Sequence, residues 1–94
     1  MTILWSPRAI DHLTHLRSYI ARENPKAANR IAAALLEAVE HLAELPNLGR
    51  TGRIAGTREM VVPGTPYVIT YRLRGDRLEV IAVFHARQKW PRQL

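Results

Sequence analysis

The sequence predicts an α+β fold of order β-α-α-β-β-β, with a helix hairpin packed on one face of a small twisted antiparallel sheet. Three observations point there. Apolar residues recur at three-to-four spacing through the first half. The period falls to two, or to β-branched runs, after residue 58. Cap-and-proline pairs and glycines punctuate the chain between these blocks. The 94 residues are expected to form one domain, because a second core would leave each half near the ~40-residue floor at which metals or disulfides are needed.

Each element has a local cause. Thr2-Ile3-Leu4-Trp5 is β-prone, and Trp5 is expected to pack under the helix hairpin. Ser6 can cap free N–H groups while Pro7 occupies the first turn, where its missing N–H costs nothing. Ala9, Leu13, Leu16 and Ile20 then share one face of a helix over about 7–22, with Asp11, His15, Ser18 and Arg22 outward. Asn24-Pro25 repeats the cap. Ala28, Ile31, Leu35, Val39, Leu42 and Leu45 carry a second helix to about 44, where Pro46 stops it. So short a connection folds the helices into an antiparallel hairpin over a common core.

Residues 46–53 have the glycines of a loop and carry Arg50 and Arg53, and Gly56 adds a hinge. Strands are expected over 58–62, 67–73 and 78–84. Pro63-Gly64-Thr65-Pro66 makes the first turn. Gly75-Asp76 makes a tight second one, so the last two strands are antiparallel. The sheet face away from the helices is expected to be lined by arginines and open to a partner.

Composition narrows the function. An apolar share of 47% with 23% charged residues belongs to a globular chain rather than a disordered one. No apolar run approaches the ~20 residues of a membrane span, and residues 1–8 lack the order of a signal peptide, so a cytoplasmic protein without membrane contact is expected. The absence of cysteine removes disulfides, thiolate nucleophiles and zinc ribbons. In residues 1–49 five cations balance five carboxylates; residues 50–94 carry nine cations against Glu59, Asp76 and Glu79, and hold the whole +6. All the cations except Lys26 and Lys89 are arginine, whose flat fork suits carboxylate and phosphate. An acidic partner, nucleic acid or protein, is expected; the competing view is a solvated basic face kept for solubility.

Six segments, in order, carry a resemblance: Trp5-Ser6-Pro7 with Ala9; Tyr19-Ile20-Ala21 with Asn24-Pro25 and Ala27-Ala28; Pro46, Gly49-Arg50 and Gly52-Arg53; Gly56-Thr57-Arg58-Glu59; Pro66-Tyr67-Val68-Ile69 with Tyr71; and Val83-Phe84-His85, Gln88 and Trp90-Pro91. Together they resemble the RelE/ParE superfamily, the toxins of type II toxin–antitoxin modules. The resemblance implies a small toxin neutralised by an antitoxin, ParD-like or RelB-like, encoded alongside it. RelE-like members cleave messenger RNA on the ribosome with a strand-borne group of Lys and Arg; ParE-like members inhibit DNA gyrase by binding. At the places that resemblance assigns to the catalytic cations this chain has Glu59, Val61 and Val68, which cannot support a phosphate dianion. The expected function is therefore ParE-like: gyrase inhibition without catalysis. The alternatives are a ribosome-dependent mRNA endoribonuclease and a non-toxic basic nucleic-acid-binding module.

Candidate residues follow from these readings. For the ribonuclease alternative they are His85, as acid or base, with Arg58 and Arg72 on the phosphate. Arg58 and Glu59 could instead form a plain cross-strand ion pair. Tyr67 and Tyr71 share a strand face and suit the core better than base stacking. For antitoxin binding the candidates are Leu13, Leu16 and Ile20 as an apolar anchor and Arg58, Arg72 and Arg74 as charge partners. For the target they are Arg87, Lys89, Trp90 and Arg92, an aromatic anchor among cations, although Trp90 could equally cover the sheet edge. His12 and His15 have a spacing used by metal sites but lack a third ligand, so neither metal nor cofactor is expected.

Overall fold

The computed structural model describes residues 1–88. Along the chain run β1 (Thr2–Trp5), α1 (Pro7–Ala21), α2 (Pro25–Glu44), β2 (Arg50–Thr51), β3 (Arg58–Val61), β4 (Tyr67–Arg74) and β5 (Arg77–His85). Both expected caps form. Ser6 Oγ accepts the Ala9 N–H at 3.0 Å and donates to the Ile81 carbonyl at 2.9 Å, pinning the start of α1 to β5. Asn24 Oδ1 accepts the Ala27 N–H at 3.1 Å, and a proline opens each helix.

The sheet order is β1-β5-β4-β3-β2. Its meander is antiparallel as expected, but β1 lies parallel to β5, with Ile3 opposite Leu78 and Trp5 opposite Val80, so the sheet is mixed. A parallel pair needs a long crossover, and residues 6–76 supply it. A second difference is β2, where a loop was expected: Arg50 and Thr51 pair with Glu59 and Arg58. Two residues are too few to show a period. The third is a bulge. Tyr71 faces Val80 while Thr70 faces Ala82, so β5 has one residue in excess at Ile81. Past that point the alternation flips, and Val83 joins Leu78 and Val80 in the cluster beneath the helices.

That cluster joins Ala9, Leu35, Val39 and Leu42 to Ile69, Tyr71, Leu78 and Val80. Trp5 packs against it half-buried, and Tyr67 and Tyr71 both belong to it. Tyr71 is fully buried, yet its hydroxyl donates to the Pro46 carbonyl at 2.8 Å and accepts the Gly49 N–H at 2.9 Å. Gly49 is glycine for want of room: a Cβ there would lie 2.5 Å from the hydroxyl and 2.9 Å from the Glu59 carbonyl oxygen. The Tyr71→Phe variant keeps the ring but orphans the buried Gly49 N–H and the part-buried Pro46 C=O. It should lose about 1–3 kcal/mol of stability, measured by urea unfolding.

Where β1 ends, α1 takes over the edge of β5. The Val83 N–H donates to His12 Nδ1 at 3.1 Å, and the His12 and Phe84 rings lie 5.0 Å apart. Burial, with help from Arg8, lowers the His12 pKa. The fold thus favours the neutral ring, so its contribution is intact above about pH 6.5 and is lost as the pH falls from there through the depressed folded value. Stability should therefore decline below about pH 6.5, and the decline should be shallower in His12→Gln when melting temperatures are compared across pH.

Candidate functional site

Strand register sorts the candidate residues onto two faces of the sheet. On the face away from the helices, Glu59 lies opposite Thr70, Val61 opposite Val68, and Arg72 opposite Glu79. Arg72 Nε donates to Glu79 Oε1 at 2.6 Å, and Arg74 Nε lies 3.5 Å from the same oxygen. The Arg72 hydrogen bond, aided by the charges of Arg72, Arg74 and Arg77, holds the Glu79 carboxyl below the usual carboxylate range. Arg72 and Arg74 keep 40% and 63% of their side-chain surface in solvent, so both can still receive an outside anion. Beside them a cleft of about 480 Å³ runs between Leu4, Arg8 and Ile54 over Ile81 and Arg72.

Further along this face the charge is closed off. The Glu59 side chain is 1% exposed. It accepts the Arg53 backbone N–H at 2.8 Å and the Arg50 guanidinium at 3.4 Å, with Arg53 Nε 3.7 Å away. A carboxylate so enclosed is held by the strand and loop that carry its partners. Val68, Thr70, Ala82 and Phe84 are buried nearby. The Arg58–Glu59 pair does not form, because successive strand residues point to opposite faces. Arg58 lies on the helix side, where its Nη1 donates to the Gly49 carbonyl at 2.8 Å.

His85, Arg58 and Arg72 are not brought together. Arg58 lies opposite Tyr71 and His85 opposite Tyr67, four residues apart on β4 and so about 13 Å along the strand, while Arg72 projects from the other face. The His85 ring stands edge-on to Tyr67 at 5.5 Å, and its Nδ1 accepts the Arg87 N–H at 3.1 Å, which ties it into the turn after β5. Leu13, Leu16 and Ile20 are half-buried against the core, so much of the proposed anchor is spent on holding the hairpin to the sheet. The hairpin instead exposes Ile10, Tyr19 and Leu36. Arg87 is exposed; Lys89, Trp90 and Arg92 lie outside the described residues. His12 and His15 diverge, His12 toward β5 and His15 toward Asp11, and among the described residues no cluster of three or more acidic or imidazole side chains could hold a metal.

The sequence leads one to expect an amphipathic antitoxin helix in the groove between the helix hairpin and the sheet, but not the acidic border that the structure gives that groove. Between α2 and β3 lies a groove of about 610 Å³ floored by Ala34, Ala38, Met60 and Val62 and bordered by Glu37, Glu40 and Glu44. The glutamates recur at i, i+3 and i+7, a spacing visible in the sequence, but it reads as the solvated side of a helix until β3 is placed beside it.

A helix hairpin on a five-stranded mixed sheet, with arginines on the face away from the helices, is a fold of the RelE/ParE type. The chain belongs to the ParE family: a family model described as the ParE toxin of the type II toxin–antitoxin system parDE matches residues 3–90. A Sinorhizobium fredii protein named as the toxin Y4kP is 45% identical over 92 residues, spanning 98% of this chain and 95% of its own. Toxin RelE2 of Caulobacter vibrioides is 37% identical over 84 residues, 89% of this chain and 93% of its own. A solved structure of the chromosomal ParDE system from P. aeruginosa superposes with a TM-score of 0.83 at 19% identity, covering 90% of this chain and 95% of that one. Among the described residues no helix is long and apolar enough to cross a membrane.

Removing the Glu59 carboxylate should release the segment that it holds. Glu59→Ala is expected to cost about 1–3 kcal/mol and to speed tryptic cleavage after Arg50 and Arg53, read by mass spectrometry under native conditions.

Proposed function

We propose that this toxin acts in the cytoplasm by binding and inhibiting DNA gyrase, without catalysis, and that a cognate ParD-like or RelB-like antitoxin keeps it inactive. The observation that carries the reading is the state of the outer sheet face: a buried, arginine-clamped Glu59 and the apolar pair Val61 and Val68 stand where the resemblance assigns catalytic cations in the ribonuclease members. The dispersal of His85, Arg58 and Arg72 supports it, because a general base must come within hydrogen-bond reach of the proton it takes. The second reading is a ribosome-dependent mRNA endoribonuclease; three relatives carry the name RelE, beside the ParE family model that matches the chain. On the gyrase reading, Arg87, Lys89, Trp90 and Arg92 contact the target, while Arg72 and Arg74 receive carboxylates of the antitoxin.

Induction of the chain in cells, with DNA breaks, replication and translation followed separately, tests the choice. The expected result is arrested replication with DNA damage while protein synthesis continues at first. Replacing His85 by Ala should leave toxicity within a few-fold. A loss of ~10²-fold or more in a folded variant, accompanied by cleaved message on ribosomes in the wild type, would establish the ribonuclease instead. Deleting Trp90 to Leu94 should abolish inhibition of supercoiling and leave antitoxin binding intact; unchanged inhibition by a stable truncation would remove the tail from the target site.

A further inference from the structure

Glu37, Glu40 and Glu44 stand along one side of α2, and none of them forms an ion pair among the described residues. Like charges at these spacings repel one another and weaken the helix. The stripe nevertheless borders an apolar trough. Val62 is buried and Met60 half-buried on its floor, and Leu48, at its margin, is 51% exposed. Among the described residues the only other ionisable side chain lining the groove is His41. On a chain of net charge +6, whose cations gather in the other half, an acid-rimmed apolar groove is a local reversal of sign.

We infer that this groove docks an amphipathic helical segment of the antitoxin in which leucine-like residues alternate with lysine or arginine, the apolar side chains filling the trough and the cations meeting Glu37, Glu40 and Glu44. The inference rests on the reading of this chain as an antitoxin-neutralised toxin and adds the chemistry of the partner. From Ala34 to Glu44 the groove runs ten residues of helix, about 15 Å, which matches roughly three turns of a docked helix. Charge complementarity excludes an acidic segment here and sends it to Arg72 and Arg74 on the opposite face. The antitoxin is thus charge-segmented: basic where it is helical and seated on α2, acidic where it reaches the sheet.

The test uses the ¹⁵N-labelled full chain and two synthetic helical peptides with the same leucine positions, one with arginines and one with glutamates between them. The arginine peptide should shift the Ala34, Ala38, Met60 and Val62 amides saturably, despite the protein's net positive charge, and bind at least tenfold more weakly to Glu37→Lys/Glu40→Lys. Glu40→Gln should weaken it less and guards against a folding defect in the double variant. The protein encoded by the adjoining reading frame, co-purified with the wild type, should show the same tenfold loss. Groove shifts with the glutamate peptide equal to those with the arginine peptide would overturn the inference. So would undiminished binding of the adjoining protein to the double variant, which leaves the toxin–antitoxin reading standing. Failure of that protein to bind the wild type would remove the reading itself. A dimer of the isolated chain that dissociates in Glu40→Lys would give the groove to a second copy and overturn the antitoxin assignment.

Discussion

The Tyr71 hydroxyl is shared between the carbonyl that follows α2 and the N–H that precedes β2, and the passage from helices to sheet depends on it. A phenol in the middle of an apolar core is costly unless both of its hydrogen-bonding functions are used. Here both are used, on backbone groups that have left the helix and not yet entered the ladder. Burial raises the Tyr71 pKa, so the ring stays a protonated donor at any physiological pH. Gly49 must come close enough to meet it, and Arg58 completes the junction by donating to the Gly49 carbonyl. The end of α2, β2, β3 and β4 are thereby held at one point.

From that point outward, the antiparallel register decides which side chains can cooperate. Arg58 and Glu59 are neighbours in sequence but belong to different sides of the sheet, and Glu59 turns to Arg50 and Arg53 instead. The result is a face with a closed ion-pair cluster at one end and an open arginine cluster around Glu79 at the other. The fold by itself selects no chemistry, because the scaffold determines where strand residues point and the residues determine what they do.

The electrostatics divide along the same lines. Arg50, Arg53, Arg72 and Arg74 gather on and beside the outer sheet face, whereas α2 turns its carboxylates toward β3 across an apolar trough. A partner that covers both must change character along its length. Such segmentation favours a specific partner, since a uniformly charged competitor meets repulsion at one of the two surfaces.

Elements whose cause is local were legible in the sequence. The Ser6-Pro7 and Asn24-Pro25 caps, the apolar stripes of both helices, the Pro46 stop and the Gly75-Asp76 turn each act within a few residues, and the helix hairpin and three-stranded meander follow from them. The parallel seating of β1, the two-residue β2 and the bulge at Ile81 were not legible, because each depends on hydrogen bonds to segments far along the chain. The same distinction separates the site residues. The excess of arginine, and the carboxylate and valines where the resemblance assigns catalytic cations, are properties of composition and order. Which arginines share a face, which carboxylate is buried and which glutamates border a groove are properties of register and packing. A residue's neighbours across a sheet are set by the pairing of whole strands, and only the tertiary structure decides that pairing.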